Sequence, residues 1–170
     1  MDKLILDSRI KHMHGVAEYM YNNAEKYNLN KDEMYILGLL HDIGYINGKD
    51  NHEWYGGKIL NQSGYINAKY VYWHGTTPED YKRANSCMNE NIPKPLILLW
   101  EADLSVDQTG ENVGFDKRLE DIGNRHGYDS KAYNICKQTI DWLKKENLKY
   151  KAQIKQQIVK ETGYKTSCID

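Results

Sequence analysis

Nowhere in this chain does an apolar/polar alternation of period two persist for six residues, so no half-buried strand is written into it. Apolar residues recur instead every three or four positions, the spacing of one helix face. The sequence therefore predicts an all-α fold. Its 170 residues suit one domain and suffice for a real core. No internal repeat, low-complexity tract or linker-like composition divides them.

The predicted helices are punctuated by caps and breakers. The first runs from about Asp7 to Tyr27, capped by Asp7 or Ser8. Asn28 to Asn30 is a polar break. Lys31 or Asp32 opens a second helix, which ends at His41-Asp42-Ile43-Gly44 with the glycine as its C-cap. Asn51 is expected to cap a third helix, from His52 to about Gln62. Ile66 to His74 reads as helix, though its Val and Tyr content also suits a strand. Pro78 fits the first turn of a helix over Glu79 to Met88, and Pro95 opens one through Leu96, Leu99, Trp100 and Asp103. A glycine-bearing loop near Gly110 to Gly114 precedes a helix from Asp116 to His126. A long amphipathic helix follows, from about Ser130 to Glu161. Its stripe of Ile135, Cys136, Ile140, Leu143 and Leu148 is expected to pack on the core or, alternatively, to cover a homodimer surface.

Composition narrows the function classes. A net charge of −1 gives no global attraction to nucleic acid or membrane. The longest apolar stretch, Leu96 to Trp100, is far too short to span a bilayer. The N-terminus lacks an apolar core followed by a small-residue cleavage site. Cys87, Cys136 and Cys168 are odd in number and widely spaced, as in reduced thiols. A cytoplasmic location is the expectation. The chain has 14 Tyr and 4 Trp against one Phe, which places most tyrosines at the core edge with their hydroxyls on polar partners. Base-stacking platforms are the alternative.

Chemistry resides in the histidines. Of six, five (His12, His14, His41, His52 and His74) lie in the first half of the chain. Leu-Leu-His41-Asp42-Ile-Gly delivers an imidazole and a carboxylate to a helix end, donors that suit iron, manganese or zinc. Alone, the pair is a weak signal, since a helix C-terminus favours histidine and a turn favours aspartate. Its order with His12, His52, His74 and Asp103, each on a different element, is more specific. A helical bundle can converge such groups on a cation.

Arg9-x-x-His12-Met-His-Gly-Val16-Ala17, then Leu-Leu-His41-Asp42-Ile-Gly, His52-x-x-x-Gly56-Gly57, Trp73-His74 and Glu101-Ala102-Asp103 together resemble the HD superfamily of metal-dependent phosphohydrolases. The resemblance runs from Arg9 to about Asp107 within a core of about 7–107, with 116–163 as a helical extension. It implies that His12, His41, Asp42 and Asp103 hold one metal. In the histidine-rich members, Asp42 would bridge to a second metal held by His52 and His74. That pattern is similar to the branch hydrolysing symmetrical diadenosine tetraphosphate, where iron is typical; manganese, zinc and nickel are the other candidates. The substrate implied is a phosphate ester or anhydride, of a nucleotide, cleaved by a water that one or two cations acidify, with Asp42 as the catalytic carboxylate.

His12 is preferred to His14 because Arg9, Val16 and Ala17 fit the family frame around it. His14 points about 160° away and reads as a surface residue or one that supports a ligand from behind. His126 reads as a turn residue at a helix end. Arg9 is expected to contact substrate phosphate, or else to pair with Glu18 or stand as a helix-face charge. Lys82 and Arg83 read as solvated charge, with a substrate-tail contact as the alternative. Tyr45 stands where some relatives carry a phosphate-binding Lys. Relatives of the diadenosine tetraphosphate branch more often carry a basic residue shortly after the late Asp, and none follows Asp103 here. A non-catalytic HD module binding a nucleotide or partner, and a di-iron oxygenase on the same fold, are the competing functions.

Overall fold

In the computed structural model the described residues are 3–48, 50–86 and 91–162, with the side chains of 3–6 and 148–162 left aside. They form α1 (Lys3–Asn23), α2 (Lys31–Leu40), α3 (His52–Gln62), α4 (Ala68–Trp73), α5 (Pro78–Ala84), α6 (Lys94–Asp103), α7 (Gly114–His126) and α8 (Lys131–Thr162). Among them there is no β-strand, only one isolated bridge between Val106 and Asn112. The all-α expectation is met. No helix among them is long and apolar enough to cross a membrane.

Several boundaries differ from the sequence reading. α1 begins at Lys3, so Asp7 and Ser8 lie inside it and neither caps it. It stops at Asn23, and Ala24–Tyr27 tightens into a 3-10 turn that Asn28 closes in the left-handed region at φ 56°. α2 is capped by Asn30, whose side chain accepts from the Glu33 N–H. Asn51 precedes α3 at φ 58° and makes no side-chain capping bond, whereas the bonded caps Asn30 and Thr77 hold the extended backbone usual for an N-cap. For α5 the cap is Thr77, with Pro78 in the first turn; α5 ends at Ala84 with Asn85 as its C-cap, so it stops short of the expected end at Met88, a residue outside the described ones. α7 starts at Gly114, two residues before Asp116.

Gly44 is not the C-cap of α2. His41 ends that helix in right-handed geometry, and Gly44 lies buried in a second 3-10 turn, Ile43–Asn47. Its backbone presses on α3: a Cβ there would sit 1.8 Å from the His52 carbonyl oxygen and 2.5 Å from the Gly56 nitrogen. The residue is needed for closeness rather than for φ.

α1 and α2 form the most extensive helix pair, and α6 packs on α1, α2, α4 and α8. Contact of α1 with α2 is close because Gly38 offers no side chain; a Cβ would meet the Ala17 Cα at 2.7 Å. Val16, Met20, Leu37, Leu96, Leu99 and Trp100 form the buried centre, joined by Ile140 and Leu143 from α8. The expected α8 stripe is present through Leu143, while Leu148 lies outside the described side chains. Glu101 is buried within this core and is held by Lys26 Nζ at 2.9 Å and the Tyr27 hydroxyl at 2.5 Å. Those bonds fasten the α1–α2 connection to α6.

Candidate metal centre

Five elements bring six side chains to one point. His12 comes from the middle of α1, and His41 and Asp42 follow the last turn of α2. His52 opens α3, His74 ends α4, and Asp103 ends α6. His12, His41, Asp42 and His74 are buried; Asp103 keeps 22% of its side chain exposed and His52 15%.

The Asp42 carboxylate lies between two sets of imidazoles. Oδ1 is 3.2 Å from His52 Nε2 and 3.5 Å from His74 Nε2. Oδ2 is 3.3 Å from His41 Nε2 and 4.0 Å from His12 Nε2. Asp103 Oδ1 closes the second set, 3.0 Å from His12 Nε2 and 3.8 Å from His41 Nε2. Three overlapping groups each have donor atoms within 4.8 Å of one another: His12, His41 and Asp42; His41, His74 and Asp103; and Asp42, His52 and His74.

The tautomers suit a cation. His12 Nδ1 lies 3.0 Å from the Asp107 carbonyl, His41 Nδ1 2.7 Å from that of Gly38, and His74 Nδ1 2.7 Å from that of Val71. A carbonyl only accepts, so each Nδ1 carries a hydrogen, and in the neutral ring the lone pair is left on the inward-facing Nε2. His41 Nε2 is buried with no hydrogen-bond partner. An orphaned buried nitrogen costs about 1–3 kcal/mol, and a bound cation would give it a partner.

A match to the HD domain model covers residues 9–107, more than half of the chain. The chain belongs to the HD domain family. No curated protein and no solved structure matches it. The HD match takes in all six converging residues and stops before α7.

Burial opposes ionisation of Asp42, but His41, His52 and His74 outweigh it and hold the carboxyl well below the usual range. Asp103 is likewise held low against burial, by His12 and His41. Burial dominates at His12 and lowers its pKa despite Asp103. At His74 burial is outweighed by Asp42, which pushes the imidazole up to about 9. A raised folded pKa means that protonation of His74 contributes stability fully below about 6.5, lost as pH rises through about 9. A ligating imidazole must be neutral, so a cation displaces that proton. Loading the chelator-treated protein near pH 7.5 is expected to release about one proton from His74. Calorimetry in buffers of different ionisation enthalpy reads that release, and His74→Gln should lose it.

Arg9 points inward and pairs with Asp42 Oδ2, not with Glu18. Its guanidinium lies 4.0 Å from the Tyr45 ring centroid, and that ring stacks on His52 at 4.1 Å. Tyr45 thus serves as a spacer between a cation and an imidazole. Burial, then Asp42, push its phenol up to about 12, so it stays a neutral donor. His14 and His126 are exposed, outside the converging groups. Arg83 pairs with Asp80, and Lys82 lies over Trp142, so the described contacts of both are on the surface.

Three contributors escaped the sequence reading. The Asp107 carbonyl is main chain and leaves no residue-type signal. Glu53 Oε2, 3.5 Å from His52 Nδ1, was visible only as the neighbour of a histidine. Arg118 of α7, whose Nη2 is 3.9 Å from Asp103 Oδ1, lies fifteen positions downstream of that residue and carries no motif.

Proposed function

We propose that this chain is a metal-dependent phosphohydrolase that cleaves a phosphate ester or anhydride of a nucleotide. The observation that carries the reading is the Asp42 carboxylate, whose two oxygens face separate pairs of histidine Nε2 atoms. One carboxylate between two donor sets suits a two-cation centre, with His12, His41, Asp42 and Asp103 on one side and Asp42, His52 and His74 on the other. The mixed N/O donors accept iron, manganese, zinc or nickel, and the resemblance to the histidine-rich branch favours iron among them. Cations held there neutralise phosphate oxygens and acidify water.

The chain's own groups do the rest. His12, His41 and His74 form a buried floor. The more accessible side is lined by His52, Asp103 and Arg9, whose side chain is 16% exposed. A phosphate approaching from there meets the Arg9 fork, a planar donor suited to two oxygens at once. Tyr45 backs that guanidinium and limits its swing. Asp42, ionised and held well below the usual carboxylate range, would orient the attacking water by accepting a hydrogen bond from it. Two histidines beyond the four-residue motif support a nucleotide polyphosphate as substrate, of the kind that the diadenosine tetraphosphate hydrolases cleave.

Elemental analysis of freshly purified protein, paired with a hydrolysis screen over mono-, di- and dinucleotide polyphosphates, tests this. Near two cations per chain and turnover on one class are expected. Bound metal without hydrolysis across the panel would assign the centre to a binding module, and turnover that requires oxygen would assign it to an oxygenase.

A further inference from the structure

The HD match ends at residue 107, yet α7 reaches back to the centre. Arg118 is buried, with 7% of its side chain exposed. Its Nε donates to the Asp103 carbonyl at 3.3 Å, and its Nη2 lies 3.9 Å from Asp103 Oδ1. Its Nη1 donates to Asp121 Oδ2 at 2.9 Å. The guanidinium therefore grips the main chain of Asp103 while facing its carboxylate.

An ordinary helix-surface pair does not account for this. Asp121 is already bound by Arg125 through bonds of 2.8 to 3.1 Å, at the surface, with Arg125 28% exposed. Burying a second guanidinium beside the same acid requires compensation, and Asp103 supplies it. Asp103 is also the last residue of α6, where helix carbonyls lack intrahelical partners. Arg118 satisfies that carbonyl, so it governs the direction in which the residue leaves its helix. The carboxylate oxygen that Nη2 faces is Oδ1, the atom 3.0 Å from His12 Nε2.

We propose that Arg118 is a positioning residue for Asp103, so that α7, outside the matched segment, completes the cation-binding centre. This rests on the metal-centre reading above. It assigns Arg118 no contact with substrate.

The test uses the full chain, stripped with chelator and titrated with Mn2+ by calorimetry, with thermal unfolding in chelator as the folding control. Arg118→Met should weaken Mn2+ binding about ten- to a hundredfold, as loss of a ligand's supporting contact typically does. Arg118→Lys keeps the charge but not the fork and should recover part of the loss. Arg125→Met, at the same acid but away from Asp103, should stay within about twofold of wild type. A folded Arg118→Met that binds Mn2+ as tightly as wild type overturns the proposal. Tighter binding also overturns it, since the guanidinium would then act only by repulsion. Should Arg118→Met fail to fold, Asp121→Asn frees the outer end of Arg118, and unchanged Mn2+ affinity in that variant overturns it. A wild-type chain that takes up no Mn2+ removes the metal-centre reading itself, and this proposal with it.

Discussion

Asp42→Asn should abolish cation uptake and lower phosphohydrolase turnover by about 10³-fold or more. The estimate rests on bound metals supplying several kcal/mol of transition-state stabilisation, with 1.36 kcal/mol per decade of rate. The substitution is nearly isosteric, so packing is preserved. It removes the negative charge from a buried point that faces four imidazoles and Arg9. Asparagine also places an N–H₂ where one oxygen must accept. The chelated protein offers an independent readout. The folded carboxyl is held well below its ordinary pKa, so its stabilising contribution is present above about pH 4 and lost as pH falls further. Chelated Asp42→Asn should therefore be less stable than chelated wild type at pH 7, with the gap closing in acid. Full metal stoichiometry and unchanged turnover in the variant would sink the bridging role.

The second large effect is expected at Gly44. Gly44→Ala should cost about 3 kcal/mol, the upper range for overpacking, because the added carbon meets main chain. The His52 carbonyl would be 1.8 Å away and the Gly56 nitrogen 2.5 Å, and neither can rotate aside as a side-chain end would. Relief requires α3 to move at its first turn, which carries His52. The melting temperature should fall by about 6–12 °C for a chain of this size. The His52 side of the centre should also lose cation. Gly48→Ala is a contrast: nothing lies within 4 Å of that Cβ, and its φ of 116° makes any loss one of backbone strain alone. Denaturant unfolding and metal content of both variants separate the two mechanisms, and a Gly44→Ala protein that melts with wild type would refute the close-approach account.

These glycines show why part of the structure was legible in the sequence and part was not. The helical period and the polar breaks located the helices, because side-chain pattern along a segment reports its own burial. The order of His12, His41-Asp42, His52, His74 and Asp103 marked the centre, because few residue types offer such donors. Caps were harder to place. Asp7 and Ser8 have the right chemistry for an N-cap, yet α1 runs through them. Asn51 has it too, but sits at positive φ. Gly44 was visible as a glycine, but its reason lies in α3, eight or more positions away. Arg118 was the least legible, since only three-dimensional packing distinguishes it from the many solvated cations of α7 and α8.

The three innermost imidazoles take their orientation from peptide carbonyls, at Asp107, Gly38 and Val71. A substitution at Asp107 or Val71 changes the side chain and leaves the oxygen in place, whereas at Gly38 the contact with the Ala17 backbone admits no side chain at all. Ring orientation is thus insulated from the drift of neighbouring residue types. The accessible side, built from Arg9, Tyr45, His52 and Asp103, has no such insulation. An evolving chain of this architecture can remodel what it accepts there while the inward-facing lone pairs stay fixed.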